Sequence, residues 1–211
     1  MLISFWNWFV KITAYPVQLF CFRTKIYYEN NKVQKRRIKG PAIIISNHTS
    51  VFDYAVYLFV FFSRTLRFQM AEVLFEKKFL GIFLKMLGGI IVDRNTHNFG
   101  FIAKSQDVLA SGGVVGIFPE SRLPLKNEQR PLEFKTSAAY IALSTGVPII
   151  PVYTNGSYFN KKRARVIIGE PIYVNDFIYN GLTDKENIDN LTSFMRQRII
   201  ELEKILYEKI S

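Results

Sequence analysis

The sequence predicts an α/β fold, a single layered domain with a largely parallel or mixed sheet flanked by helices. Three observations lead there. Short β-branched runs such as "AIIIS" (42–46) and "VPIIPVY" (147–153) alternate with longer segments of helical spacing. The 211 residues, 49 % hydrophobic and 21 % charged, suit one domain with a sizeable core. Internal repeats, low-complexity tracts and linkers are all missing from the chain.

The first stretch, "MLISFWNWFVKITAYPVQLFCF" (1–22), is apolar but interrupted by Lys11 and Pro16. It has neither the basic leader nor the small-residue cleavage site of a signal peptide. A membrane-crossing helix needs roughly 20 uninterrupted apolar residues, which this stretch does not supply. Trp6 and Trp8 suit the boundary between water and lipid. The expectation is a membrane-associating helix over 1–24, lying in or dipping into a membrane face, followed by the α/β domain over 25–211.

A polar and basic stretch leads to the punctuation Gly40-Pro41. "AIIIS" then reads as a strand covered on both faces. "VFDYAVYLFVFF" (51–62) reads as a buried or lipid-facing helix, "LRFQMA" (66–71) as a strand, and "EVLFEKKFLGIFLKML" (72–87) as a helix stopped by Gly88-Gly89. "IIVD" (90–93) is a strand, the segment from about Phe99 to Ala110 a helix, and "GVVGIFP" (113–119) a buried strand. A loop rich in charge and proline precedes a helix from about Phe134 to Thr145. "VPIIPVY" and "RVIIGE" (165–170) are further strands. The last helix carries Ile188, Leu191, Met195, Ile199, Leu202 and Leu206 as one apolar stripe.

The chain holds 28 basic and 17 acidic residues, a net +11, which attracts nucleic acid or an anionic leaflet. The basic runs "KVQKRRIK" (32–39) and "KKRAR" (161–165) adjoin apolar segments, and no nucleic-acid-binding pattern accompanies them. The expected partner is therefore an anionic membrane surface and not nucleic acid. The expected location is the cytoplasmic face of the cell membrane, as a peripheral or monotopic protein. Cys21 is the only cysteine, so an intrachain disulfide and a cysteine metal cluster are both ruled out, and no metal site is expected.

Ligands in such sheets collect beyond the carboxyl ends of the strands. His48 follows the first predicted strand of the sheet by two residues, and Asp53 opens the next helix. On one continuous helix the two would point roughly 140° apart. With His48 in the loop, Asp53 can accept from one imidazole nitrogen and leave the other as a base. Another reading stays open on these residues: Ser50-x-x-Asp53 is also a capping box, which would make Asp53 a helix-end acceptor and His48 structural.

Asn47-His48 with Asp53, "GIIVDR" (89–94), "FPESR" (118–122) and "VPIIPVY" resemble, in this order, the four blocks of the glycerophospholipid acyltransferases, the family of 1-acylglycerol-3-phosphate acyltransferases. The resemblance implies transfer of a fatty acyl group from an acyl thioester, acyl-CoA or acyl-carrier protein, to the free hydroxyl of a lysophospholipid, giving phosphatidic acid. It implies no cofactor. Glycerol 3-phosphate, another lysophospholipid or an amino-lipid are alternative acceptors, and a non-catalytic lipid-binding protein of the same fold is an alternative role.

On that reading His48 is the general base, oriented by Asp53, with direct attack and no acyl-enzyme. Backbone amides opening the helix after His48 are candidates to hold the oxyanion. Arg94 and Arg122 present planar forks to the acceptor's phosphate, Lys135 adds charge, and Glu120 holds a glycerol hydroxyl or fixes an arginine. Asn47, Phe118, Pro119, Ser121, Val147 and Pro148 support the motifs. Ser121 departs from the family's glycine, which puts the loop at stake if a positive φ is needed there. The aromatic helices at 51–62 and 72–87 are expected to line an acyl tunnel or rest on lipid.

Overall fold

The computed structural model describes residues 2–93, 99–159 and 163–211. Helices α1 (Leu2–Thr13) and α2 (Tyr15–Cys21) come first, then strands β1 (Lys25–Tyr28) and β2 (Ala42–Ser46). Next follow α3 (Asp53–Val60), β3 (Leu66–Ala71), α4 (Val73–Glu76), α5 (Lys78–Met86) and β4 (Ile90–Val92). The remainder is α6 (Gly100–Ala110), β5 (Val114–Ile117), α7 (Ser137–Thr145), β6 (Ile149–Thr154), β7 (Arg165–Ile168), a 3₁₀ turn (Val174–Phe177) and α8 (Asp184–Glu208).

The seven strands form one sheet in the order β1-β7-β6-β2-β5-β3-β4. Every neighbouring pair is parallel except β6 and β7, so the sheet is mixed, within the predicted class. β2 lies between β6 and β5, and all five of its residues are buried, as a run of β-branched side chains requires. Alternation along the strands divides the core. Ile43, Ile45, Val115 and Ile149 face α6, α7 and α8, whereas Ala42, Ile44, Val114 and Ile150 face α3.

Because β2, β5 and β6 run in parallel, the segments after Ser46, Ile117 and Thr154 all leave the sheet at one end. Gly116 adjusts that end. A Cβ there would fall 2.3 Å from the Phe68 ring, so glycine lets this ring lie flat across β5. Phe68 in turn stacks on Phe118 at 5.2 Å. On α8 a Thr183–Glu186 capping box opens the helix, and Leu191, Met195, Ile199, Leu202 and Leu206 are fully buried, as the predicted stripe demands.

Four elements depart from the pattern read in the sequence. β1 falls in the stretch read as polar; it is a short, partly exposed edge strand, held by pairing to β7 and by the Glu29–Arg198 ion pair. The first helix breaks at Ala14, just before Pro16 enters the opening turn of α2, a position where proline's missing N–H is tolerated. The helix read over 72–87 breaks at Lys77, whose extended backbone (ψ 113°) separates α4 from α5. The helix read from Phe134 begins only at Ser137.

α1 and α2 are inside out. Their polar residues Asn7, Lys11 and Gln18 are buried, while Leu2, Phe5, Phe9, Ile12, Val17 and Phe20 are exposed. Asn7 Nδ2 donates to the Leu87 carbonyl at 3.0 Å, and Lys11 Nζ donates to the carbonyls of Phe62, at 3.0 Å, and Arg64. These polar contacts fasten the pair to the domain and turn the apolar side outward. Among the described residues no helix is long and apolar enough to cross a membrane.

Candidate active site

The carboxyl end of β2 is clamped before the chemistry begins. Asn47 Nδ2 donates to the Thr154 carbonyl and Asn47 Oδ1 accepts from the Thr154 amide, both at 2.9 Å. This side chain continues the ladder after β2 has ended and holds the next residue in a loop. His48 therefore stands outside any helix, and its Nδ1 lies 2.9 Å from Asp53 Oδ2. Asp53 is wholly buried and the His48 side chain is 19 % exposed, so the imidazole bridges a sealed carboxylate and the surface.

Asp53 accepts five hydrogen bonds. Oδ2 takes His48 Nδ1 at 2.9 Å, the Thr49 amide at 2.7 Å and the Ser50 amide at 3.0 Å. Oδ1 takes the Thr49 hydroxyl at 2.8 Å and the Tyr158 hydroxyl at 2.7 Å. The Asp53 carboxylate thus fills both bonding duties that the sequence offers it, holding the amides of the turn and orienting the ring. With Nδ1 donating to a carboxylate, Nε2 is the ring atom left with a lone pair. In the turn before α3 the amides of Thr49 and Ser50 are committed to Asp53, and that of Phe52 donates to Ser50 Oγ at 3.2 Å.

The block after β5 supports the imidazole from the other side. Phe118 stacks on the His48 ring at 4.2 Å with 14° between planes. Glu120, 3 % exposed, accepts the His48 amide at 2.8 Å and the Leu132 amide at 2.9 Å. Burial pushes its carboxyl pKa up, against the pull of those two amides and of nearby cationic groups. The sequence reading gives Glu120 a substrate hydroxyl or an arginine; in the structure its carboxylate ties two loops together through their backbones. Pro119 is buried beside it, and its carbonyl accepts the Lys135 amide at 2.9 Å.

Ser121 has φ +60°, the left-handed conformation that glycine adopts freely. The turn keeps its shape with serine, and the strain falls on that residue. Arg122 is exposed, and its guanidinium makes a fork on Glu128 with two bonds of 2.6 Å. This pair holds the Glu128 carboxyl down at about 2. The Lys135 side chain is exposed. Arg94 lies outside the described residues; β4, which leads to it, ends three strands from β2, on the order of 14 Å away.

Val147 and Pro148 stand at the opposite end of the sheet. The Pro148 carbonyl accepts the Ile43 amide at 3.0 Å and so starts the β2–β6 pairing, which makes this block a support of the strand and not part of the site. A cavity of about 420 Å³ lies at that far end too, lined by Lys32, Lys35, Arg37, Lys39, Ile150 and Tyr173. Among the described residues no group of three or more His, Cys, Asp or Glu could hold a metal ion. Thr49 and Tyr158 went unnoticed in the sequence. Adjacency to His48 is a signal for Thr49, whereas Tyr158 is 105 residues from Asp53 and carries no motif.

Comparisons with known proteins converge on one family. The family model described as Acyltransferase matches residues 25–155. A 1-acyl-sn-glycerol-3-phosphate acyltransferase of Bacillus subtilis is 33 % identical over 146 residues, 67 % of this chain and 70 % of that one. One of Haemophilus influenzae is 29 % identical over 213 residues, 94 % of this chain and 81 % of the relative. The crystal structure of the 1-acyl-sn-glycerophosphate acyltransferase PlsC from Thermotoga maritima shares the fold, with a TM-score of 0.62 at 21 % identity over 95 % of this chain and 79 % of that one. With the family's model spanning the sheet from β1 to the end of β6, and the His48–Asp53 pair at its centre, this chain belongs to the acyltransferase family and is an enzyme of that kind.

Proposed function

We propose that this acyltransferase moves a fatty acyl group from acyl-CoA or acyl-carrier protein to the free hydroxyl of 1-acylglycerol 3-phosphate, making phosphatidic acid in phospholipid biosynthesis. The observation that carries the reading is His48: its Nδ1 is held by a buried carboxylate while its ring reaches the surface. The acceptor class is supported by the likeness to 1-acyl-sn-glycerol-3-phosphate acyltransferases.

His48 Nε2 takes the proton of the acceptor hydroxyl as that oxygen attacks the thioester carbonyl carbon. Asp53 faces the positive charge that then forms on the ring. The tetrahedral intermediate collapses with release of the thiolate, which recovers the proton from the imidazolium. General-base assistance of this kind contributes roughly 10² to 10⁴ in rate. Phe118 keeps the ring in plane for both proton transfers. Arg94, Arg122 and Lys135 are assigned to the acceptor's phosphate; Arg122 must exchange Glu128 for it.

The enzyme works as a peripheral or monotopic protein on the cytoplasmic face of the membrane, held through α1 and α2 and by its excess of cations. The support is the inverted helix pair, with Phe20 82 % exposed, joined by Phe79 of α5 at 85 %. Labelled acceptors offered with each donor, followed by separation of the lipid products, identify the reaction. His48→Ala is expected to abolish transfer and to sediment with anionic vesicles as the parent does. Full activity in that variant removes the base assignment. Phe5→Asp with Phe20→Asp is expected to release the protein from those vesicles, and unchanged sedimentation removes the membrane face.

A further inference from the structure

We propose that Tyr158 is a positioning residue of this reaction, and that through it the end of α2 holds the Asp53–His48 pair in working geometry. The inference rests on the function proposed above and extends it to a residue outside the four blocks. Three observations meet at Tyr158.

The first is its hydroxyl. Tyr158 is buried, its OH donates to Asp53 Oδ1 at 2.7 Å, and it lies 3.1 Å from Thr154 Oγ1. With its proton directed at Asp53, the phenol oxygen accepts from Thr154. Thr154 is the residue clamped by Asn47, so one chain of bonds runs from β6 through Tyr158 to the carboxylate. Tyr158 and Thr49 are the two donors to Oδ1, opposite the oxygen that meets His48.

The second is the ring. It packs edge-on against Phe22 at 5.5 Å, and Phe22 directly follows α2. Phe159 touches Phe22 at 5.1 Å and Phe52, the residue before Asp53, at 4.7 Å. Backbone bonds fasten the same junction: the Phe159 amide donates to the Cys21 carbonyl at 3.0 Å, and the Ala164 amide to the Phe22 carbonyl at 3.1 Å. The end of the inverted helix pair is therefore built into the loop that carries Tyr158.

The third is the backbone. Arg23 (φ 48°) and Phe159 (φ 57°) are both left-handed, a conformation that persists in bulky residues only where surrounding contacts over-determine it. Gly156 (φ 64°) sits so close to the His48 turn that a Cβ would fall 2.6 Å from Thr49 Oγ1. The loop is thus pressed against the turn and leaves Tyr158 little freedom to point elsewhere.

The test compares the full-length parent, Tyr158→Phe, Phe22→Ala, Phe22→Leu and His48→Ala on anionic vesicles. Each is assayed for kcat, for KM of donor and acceptor, for vesicle sedimentation and for the urea midpoint. Tyr158→Phe keeps the ring and its packing and is expected to lower kcat roughly ten-fold, as loss of one bond to a charged acceptor implies. Both KM values and sedimentation should stay as in the parent. Phe22→Ala should lower kcat in the same sense and Phe22→Leu restore most of it, because leucine refills the space against the Tyr158 ring. An unchanged kcat in Tyr158→Phe overturns the positioning role. An unchanged kcat in Phe22→Ala overturns the link to α2. If His48→Ala is inactive in either case, the proposed reaction stands and this inference alone fails; an active His48→Ala overturns both.

Discussion

Replacing Asp53 separates two duties that the structure gives one carboxylate. In Asp53→Ala, three N–H donors (His48 Nδ1 and the amides of Thr49 and Ser50) lose their acceptor at a position with no exposure. The two hydroxyls can turn away, so the N–H groups dominate the loss. An orphaned buried donor costs about 1–3 kcal/mol, and shared relaxation brings the total to roughly 3–5 kcal/mol. That is a large share of a domain stability of about 5–15 kcal/mol. Asp53→Asn behaves differently. Its oxygen can face the three N–H donors while its NH₂ faces the hydroxyls of Thr49 and Tyr158, which reverse and accept. The fold should lose no more than about 1–2 kcal/mol. Turnover should still fall by roughly 10² to 10⁴, since a neutral amide does not stabilise the imidazolium formed as the proton arrives. Urea titrations give the stabilities, and initial rates with labelled 1-acylglycerol 3-phosphate give the turnover. An alanine variant as stable as the parent would refute the structural duty; an asparagine variant with parental kcat would refute the electrostatic one.

Two other perturbations test the scaffold. Ser121→Gly relieves a left-handed serine, worth about 1–2 kcal/mol, against a gain of chain entropy in the unfolded state of about 0.4–1 kcal/mol. A net rise in stability of about 0.5–1 kcal/mol is expected, read as a higher urea midpoint. Lys11 is 1 % exposed, and burial lowers its pKa from 10.5 to about 8. Between those values the unfolded chain binds more protons than the folded one, so stability should rise as pH climbs from 8 to 10.5. The full rise from this group is on the order of 3 kcal/mol, and Lys11→Met should flatten it in urea titrations across that range.

What could be read ahead of the structure follows from the range of each interaction. β2, β5 and β6 announce themselves because a central strand needs apolar side chains on both faces, which leaves an unbroken β-branched run. β1 has no such run: its four residues sit at the sheet edge and take their conformation from β7, some 140 residues later. The split of α4 from α5 at Lys77 has no proline or glycine to mark it. The inversion of α1 was equally hidden, because burial of Lys11 and Asn7 depends on distant carbonyls at Phe62, Arg64 and Leu87.

The site divides in the same way. His48 and Asp53 are five residues apart, so a tight turn joins them, and their pairing is a local property that the order of residues determines by itself. The backbone partners of Glu120 are hidden from the sequence, because the amides of His48 and Leu132 that it accepts carry no residue type to betray them. Arg122 appeared free until Glu128 folded back onto it. Tyr158 reaches Asp53 only because parallel pairing sets the ends of β2 and β6 side by side. Residue order alone thus determined the strand–helix alternation and the closeness of His48 and Asp53, since both depend on neighbours within a few positions. Tertiary structure decided which groups surround that pair and which face of the first helices meets solvent, because hydrogen bonds and burial across the chain have no periodicity to give them away.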